Sequence, residues 1–196
     1  MTTGRPRLLM LDAVDSFTFM LVDTLRQAGA EVEVARSDAL SVAEALEAGR
    51  DGIVISPGPG RPGDTGIAVA LAGACVVTRK PLLGVCLGHQ ALALACGSRV
   101  ERTPPMHGKV ASVRHDRSGL FAGLPSPFAA TRYHSLAVAE PLAPLIANAW
   151  SEDGTVMAMR HADAPAHGIQ FHPESVASEC GLALLGAFVG LARGKA

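Results

Sequence analysis

The chain has 196 residues, a formal net charge of −1 and 18% charged residues. This length suits one domain spanning residues 1–196 and allows a substantial buried core. The near-neutral charge, without a run of like charges, excludes a basic surface for nucleic acid. Because the apolar stretches are too short for a membrane span or a signal peptide, we expect a cytoplasmic protein without a membrane partner.

The first half of the chain alternates predicted strands and helices. Short apolar runs predict buried strands at residues 7–11, 31–35, 52–56 and 82–85. Helical periodicity and capping residues predict helices at residues 17–28, 41–48, 65–75 and 87–96. This alternation predicts an α/β fold, an open, mostly parallel central sheet with helices on both faces.

The second half has a different pattern. Helical periodicity fades between residues 100 and 169, and short apolar segments predict antiparallel strands. These are residues 109–113, 128–133, 145–150 and 155–160. Residues 178–192 predict a closing helix. We therefore expect a small antiparallel β portion beside the parallel sheet.

Cys86 lies where the strand at 82–85 runs into the helix at 87–96. The run Gly84-Val85-Cys86-Leu87-Gly88 has the spacing of a nucleophile elbow, with sulfur in place of oxygen. Glycines on both sides let strand and helix approach closely around a strained turn. A thiol at a helix N-terminus is favoured as the thiolate, the form that attacks carbonyl carbon. Cys86 is the predicted nucleophile.

The remaining cysteines and the glycine-rich loop give no sign of a metal or cofactor. Cys75, Cys96 and Cys180 lack zinc-ribbon spacing and are interpreted as packing thiols. Cys86 and His89 have a C-x-x-H spacing, but no second ligand pair accompanies them. The loop at residues 56–60 lacks the Lys and Ser/Thr of a phosphate-binding loop. We predict no metal, nucleotide or other cofactor.

A thiol nucleophile needs a base and a group that orients the base. His172-Pro173-Glu174 follows the strand-like residues 168–171, and residues two apart in an extended chain project to the same side. We therefore predict that His172 takes the thiol proton and returns it to the leaving amine. Glu174 is predicted to fix the tautomer of the ring and to support the imidazolium.

The developing oxyanion needs hydrogen-bond donors. The backbone N–H of Leu87 follows the nucleophile directly. In the stiff loop Ser56-Pro57-Gly58-Pro59-Gly60, Gly58 brings its amide close to a ligand without a side chain in the way. Leu87 and Gly58 are the predicted oxyanion donors.

With these motifs the chain resembles the class I (triad-type) glutamine amidotransferases, most closely the small glutaminase subunits of anthranilate synthase and aminodeoxychorismate synthase. The similarity covers nearly the whole chain in blocks that occur in order. They are Asp-Ala-Val-Asp-Ser-Phe-Thr-Phe (12–19), Ser-Pro-Gly-Pro-Gly (56–60), Gly-Val-Cys-Leu-Gly-His-Gln (84–90), Met-His-Gly-Lys (106–109), Arg-Tyr-His-Ser-Leu (132–136) and Gly-Ile-Gln-Phe-His-Pro-Glu-Ser (168–175).

The resemblance implies a Cys86–His172–Glu174 triad that releases ammonia from L-glutamine through a γ-glutamyl thioester. It also implies a glutamine pocket lined by Gly58, Pro59, Gly60, Gln90, Ser135 and Leu136. Ammonia would pass to a chorismate-utilising synthase subunit, of anthranilate synthase in the first place and of aminodeoxychorismate synthase or a related amino-chorismate synthase as the alternative. His134 is expected at the pocket edge, while His107 and Lys109 are expected to face the partner.

The chain departs from the family in the first block. Ala13 and Met20 stand where Asn is usual, and Val14 and Phe19 stand where Tyr is common. The triad is untouched, so the departures bear on the partner rather than on the chemistry. Two further hypotheses stay open: a stand-alone γ-glutamyl hydrolase with the same triad, and a catalytically idle interaction subunit.

Overall fold

The computed structural model describes residues 4–47 and 49–194. Within these residues the strands are β1 Arg7–Asp12, β2 Glu31–Arg36, β3 Gly52–Ile55, β4 Leu82–Val85, β5 Val100–His115, β6 Phe128–Val138, β7 Leu145–Ser151, β8 Val156–His161 and β9 Ala166–Ile169. The helices are α1 Thr18–Gln27, α2 Val42–Ala45, α3 Ala68–Thr78, α4 Leu87–Ala95 and α5 Gly181–Ala192. No helix of this part of the chain is long and apolar enough to cross a membrane.

All of these strands belong to one sheet in the order β2-β1-β3-β4-β9-β8-β7-β5-β6. The strands from β2 to β9 pair in parallel, and those from β9 to β6 pair antiparallel. The predicted α/β architecture, with an antiparallel portion in the second half, is therefore confirmed. The assignment of residues 1–196 to one domain stays a prediction.

The side chains of the parallel strands alternate between two core layers, because successive residues of a strand point to opposite faces. Leu8 and Met10 of β1 pack in the layer that contains α1 and α5. Leu9 and Leu11 pack in the opposite layer, with residues of α3 and α4. Helices thus cover both faces of the parallel sheet. The loops that follow the carboxyl ends of its strands are not covered by these helices.

Strand β5 is much longer than the predicted segment 109–113, since it runs for 16 residues. Pro104 and Pro105 argue against a strand in the sequence, because proline cannot donate to a sheet ladder. The structure tolerates these prolines for two reasons. On one edge of β5, strand β7 pairs only with Val113–His115. On the other edge, the pairing with β6 shifts register between Arg102 and Met106, where the prolines lie. Prolines are accommodated at such an open edge and bulge.

The helix boundaries also differ from the prediction. Helix α3 begins at Ala68 rather than at residue 65, after a short 3₁₀ turn, and α5 begins at Gly181 rather than at residue 178. Ser41 caps α2 in the predicted capping box, but α2 ends at Ala45. The predicted end of that helix, residue 48, lies outside the described residues.

The loop after β1 contains a strained residue, Val14, whose φ is +62°. A β-branched residue is unfavourable in this region, whereas Asn tolerates it. Because Val14 is exposed, Val14→Asn is expected to raise the free energy of unfolding by about 1 kcal/mol, measured by urea denaturation. Val176 is fully exposed without a positive φ, so Val176→Asn is the matched control. An equal gain in both variants would contradict the strain argument.

Candidate active site

A cavity of about 210 Å³ opens at the carboxyl ends of the parallel strands, where ligands of such sheets bind. Nearly all predicted site residues line it. They are Gly58, Pro59, Gly60, Cys86, Leu87, Gln90, Ser135, Leu136 and His172. Glu174 lies behind His172 rather than on the wall. The roles of these residues stay predictions, but the fold brings the residues together.

Cys86 occupies a sharp corner between β4 and α4. Its φ of +51° and ψ of −98° are far from the favoured regions for a side-chain-bearing residue. A Cβ on Gly84 would lie 2.3 Å from the Gly88 carbonyl oxygen, and one on Gly88 would lie 2.3 Å from the Ile55 carbonyl oxygen. Only glycine fits at these positions, as the elbow spacing predicts.

The sulfur of Cys86 lies in a nearly enclosed polar setting. The side chain is only 6% exposed. The Gln170 amide nitrogen lies 3.5 Å from Sγ, and Sγ lies 3.9 Å from the carbonyl oxygen of Tyr133. Cys86 is also the N-cap of α4, and the N-terminus of a helix favours negative charge nearby. This environment suits a nucleophilic sulfur.

His172 and Glu174 form the predicted pair. Nδ1 of His172 lies 2.6 Å from Oε1 of Glu174, and both side chains are buried. The expected reason was wrong, because β9 ends at Ile169 and the pair forms in a turn rather than in extended chain. The turn is held where the His172 N–H donates to the Thr131 carbonyl at 2.9 Å and Ser178 Oγ donates to the His172 carbonyl at 2.6 Å.

The electrostatics favour a charged ring at His172. Burial lowers the pKa of His172, but the neighbouring Cys86 and Glu174 side chains outweigh burial and raise it above that of a free imidazole. Nε2 of His172 has no hydrogen-bond partner among the described residues. With Nδ1 committed to Glu174, Nε2 is the nitrogen available for proton exchange at the cavity.

The predicted oxyanion donors lie beside each other. A Cβ on Gly58 would lie 2.6 Å from the Ala13 Cβ and 3.0 Å from Leu87 Cδ1, so the loop, the elbow and the segment after β1 meet at Gly58. Within the described residues, neither the Gly58 nor the Leu87 N–H donates a hydrogen bond to another residue. Both amides are therefore free to donate to a ligand.

Sequence reasoning missed several residues at the cavity. Gln170 is fully buried and contacts the sulfur, although it lies in a matching block. The Phe17 ring meets the His172 ring edge-on at 5.3 Å, and Tyr133 stacks on His107 at 4.9 Å. The sequence pattern predicts Phe17 only as the start of a helix. The missing signal is long-range, since these contacts join segments that are far apart in the sequence.

The departures in the first block fall into two groups. Ala13 is buried against Gly58, and its N–H donates to Ser56 Oγ at 2.9 Å. Val14, Phe19 and Met20 are exposed. An apolar surface thus lies beside the cavity. His107 lines the cavity and Lys109 is exposed; their predicted role toward a partner stays a prediction.

Beneath the elbow, the ring of His89 is fully buried against β9. A Cβ on Gly168 would lie 2.7 Å from His89 Nδ1, which leaves room only for glycine. The ring nitrogens have no hydrogen-bond partner among the described residues. In that part of the chain no group of three or more His, Cys, Asp or Glu is arranged to hold a metal ion.

Buried histidines should make the protein acid-labile. Burial lowers the pKa of His89 to about 3 and those of His134 and His167 to about 4. The unfolded chain protonates these rings below about pH 6.5 while the folded chain does not, so stability falls as the pH drops from 6.5 toward 4. We expect a loss of about 2 kcal/mol per histidine at pH 5.

His172 acts in the opposite direction: its pKa is raised in the folded state, so its contribution to stability is fully present below about pH 6.5 and shrinks as the pH rises, which offsets part of this loss. Urea unfolding at pH 7.5 and pH 5 measures the effect, and His89→Leu should show a shallower pH dependence than the wild type. Equal urea midpoints at the two pH values would contradict it.

The sequence is similar to known proteins over nearly its whole length. Residues 9–190 match the family "Glutamine amidotransferase class-I". Anthranilate synthase component 2 of Azospirillum brasilense is 48% identical over 189 residues, which are 95% of this chain and 96% of that protein. Aminodeoxychorismate synthase of Streptomyces griseus is 50% identical over 187 residues, which are 93% of this chain but 25% of that protein.

Among solved structures, a glutamine amidotransferase of Thermotoga maritima superposes with a TM-score of 0.79 at 17% sequence identity, over 96% of this chain and 98% of that one. A putative GMP synthase protein of Thermoplasma acidophilum superposes with a TM-score of 0.87 at 23% identity, over 98% of this chain and 96% of that one. At these identities the likeness concerns the fold alone.

Proposed function

The chain belongs to the class I glutamine amidotransferases, and we propose that it is the glutaminase subunit of a cytoplasmic chorismate-utilising synthase, in the first place anthranilate synthase. It hydrolyses L-glutamine to glutamate and ammonia and passes the ammonia to the synthase subunit. One observation carries the proposal: Cys86 occupies a strained corner at the cavity wall where the buried His172–Glu174 pair also arrives.

In the first half-reaction, the sulfur of Cys86 attacks the side-chain carbonyl carbon of glutamine. His172 has taken the thiol proton at Nε2, and Glu174 stabilises the resulting imidazolium through Nδ1. The negative charge on the former carbonyl oxygen is met by the N–H groups of Gly58 and Leu87. His172 then protonates the amide nitrogen, so that the C–N bond breaks, ammonia leaves and a γ-glutamyl thioester remains.

In the second half-reaction, water attacks the thioester and gives a proton to the same nitrogen of His172. The C–S bond breaks, glutamate is released and the sulfur of Cys86 returns as the thiolate. The enclosure of the Cys86 sulfur supports these reaction steps. A site shielded from water strengthens the hydrogen bonds to the oxyanion and the attraction between the imidazolium and Glu174.

The pathway assignment rests on the relatives and on the surface beside the cavity. The Azospirillum protein is named as component 2 of anthranilate synthase and matches over nearly its whole length. The exposed apolar side chains of Val14, Phe19 and Met20 support a partner that covers this edge of the cavity. A synthase subunit seated there would receive ammonia directly from the thioester-forming step.

Ammonia release from glutamine tests the proposal. The purified chain is assayed alone, with an anthranilate synthase component 1 and with an aminodeoxychorismate synthase component 1, and Cys86→Ala is the blank. Stimulation by the anthranilate partner supports the first assignment. Stimulation by the other partner alone moves the chain to aminodeoxychorismate synthesis, the second candidate, which the 50% identity to the Streptomyces protein favours.

The same assay separates the remaining hypotheses. Fast release without any partner, with acceptance of substituted γ-glutamyl amides, would identify a stand-alone hydrolase. The absence of Cys86-dependent release under every condition would identify an idle subunit and contradict the proposed chemistry.

A further inference from the structure

Strand β6 contains a buried arginine that the proposed reaction does not use. The side chain of Arg132 is 2% exposed. Its guanidinium donates to Asp153 Oδ2 at 2.9 Å and to Thr155 Oγ1 at 3.2 Å, both near the turn between β7 and β8. Its Nε lies 3.2 Å from Nε2 of His134. Period-two alternation puts Arg132 and His134 on the same, buried side of β6.

This contact fixes the proton on His134. A guanidinium can only donate, so Nε2 of His134 must accept and the ring proton is on Nδ1. Nδ1 lies 2.9 Å from the Leu136 carbonyl oxygen and therefore donates to it. Arg132 thus fixes His134 in the tautomer whose Nδ1–H group holds the backbone at Leu136 in place.

The Leu136 carbonyl is a junction between this arginine and the nucleophile. It also accepts from Gln90 Nε2 at 3.1 Å, and the same nitrogen donates to Gln170 Oε1 at 3.1 Å. Gln170 Nε2 in turn lies 3.5 Å from Cys86 Sγ. A continuous series of hydrogen bonds therefore runs from Asp153, which is 44% exposed, to the sulfur.

The charges around His134 keep the ring neutral. The pKa of His134 is lowered to about 4, chiefly by burial and then by the Arg132 charge, with a smaller lowering by His172; the hydrogen bond to Leu136 and the Asp153 charge oppose these effects. His89 of α4 also interacts with this ring and is itself neutral. A protonated His134 would have to donate from Nε2 toward the guanidinium, which would break the contact with Arg132.

We propose that Arg132, held by Asp153, is a positioning residue: it fixes His134 as the Nδ1–H tautomer and so orients residues 135–136 of the glutamine pocket. The inference rests on the proposed function, in which those residues bind glutamine. Burying an arginine is costly, and replacing buried ion pairs by apolar residues is often neutral for stability. Its placement is therefore better explained by the orientation it imposes than by the stability it adds.

Two variants of the complex with its synthase subunit test this. Arg132→Lys keeps the charge but loses the planar fork that reaches three partners, and Asp153→Asn keeps the side-chain shape but removes the charge that holds the guanidinium. Glu152→Gln is the matched control, because Glu152 is an exposed carboxylate in the same turn. Both test variants should raise the KM for glutamine about tenfold, with kcat within about threefold of wild type.

A measurement that does not need the synthase subunit distinguishes a positioning role of Arg132 from a general collapse of the site. Without glutamine, the rate at which iodoacetamide alkylates Cys86 reports mainly on the sulfur and His172, and it requires no binding of glutamine. It should be unchanged in both variants, while protection by glutamine shifts to about tenfold higher glutamine concentration. A parallel loss of alkylation and thermal stability would show a merely structural role and overturn the proposal, as would an unchanged KM.

The pH dependence gives a second signature. Arg132→Gln removes the charge that depresses the pKa of His134, so the ring should become protonated at higher pH than in the wild type. As the pH is lowered, the KM for glutamine should therefore begin to rise at a higher pH in this variant than in wild type or Glu152→Gln. Identical profiles would overturn the proposal. Failure of the proposed function looks different, because Cys86→Ala would then leave glutamine turnover unchanged.

Discussion

Replacing Cys86 with alanine is expected to lower glutamine-dependent product formation by the complex on the order of 10⁴-fold or more, while synthesis from added ammonia stays at the wild-type rate. The large effect follows because the thioester cannot form without the sulfur. Under the proposed division of labour the synthase subunit, and not this chain, binds chorismate, so ammonia-dependent synthesis should be retained. Both activities are measured on the same reconstituted complex.

Cys96→Ala is the matched control, since Cys96 ends α4, is half-buried and does not line the cavity. It should retain both activities. A loss of both activities in Cys86→Ala would contradict the division of labour between the two chains. Retained glutamine-dependent activity would contradict the assignment of the nucleophile.

Local patterns in the sequence predicted the strand–turn–helix corner at Cys86 well, while the role of Cys86 as nucleophile stays a prediction. The spacing from Gly84 to Gly88 encodes a strand, a turn and a helix within a few residues, and the close approach to the backbone leaves no alternative to glycine. The Cys86 backbone is strained, but the strain is supported by contacts of the same short segment. Such a feature can be predicted from the sequence because the residues that produce it are close together in the chain.

The rest of the site depends on contacts that a single sequence does not display. β9 (Ala166–Ile169) lies beside β4 (Leu82–Val85) although about 80 residues separate them in the chain, and this pairing brings Gln170 and His172 to Cys86. Arg132 reaches Asp153 across the antiparallel portion. The His172–Glu174 pair was predicted for a geometric reason that was wrong, because both extended chain and a tight turn can bring such residues together.

Glu174→Gln is expected to lower kcat for glutamine by about 10³–10⁴-fold with little change in KM. The amide is nearly the same shape as the carboxylate, so the fold is kept. Its NH₂ group, however, can donate to Nδ1 of His172, which places the ring proton on Nε2. In that tautomer the nitrogen facing the cavity cannot take the thiol proton. The variant also loses a charge that raises the pKa of His172, so the imidazolium is less stable.

Glu179→Gln is the matched control. Glu179 lies in the same segment, but its carboxylate accepts from the Ala129 N–H at 2.9 Å, a bond that an amide oxygen can also accept. This variant should keep kcat within about threefold of wild type. In Glu174→Gln, alkylation of Cys86 at pH 6 should slow together with kcat, because both depend on a protonated His172 that supports the thiolate. A variant with normal kcat would show that Nδ1 of His172 is oriented without the carboxylate, and that Glu174 serves packing alone.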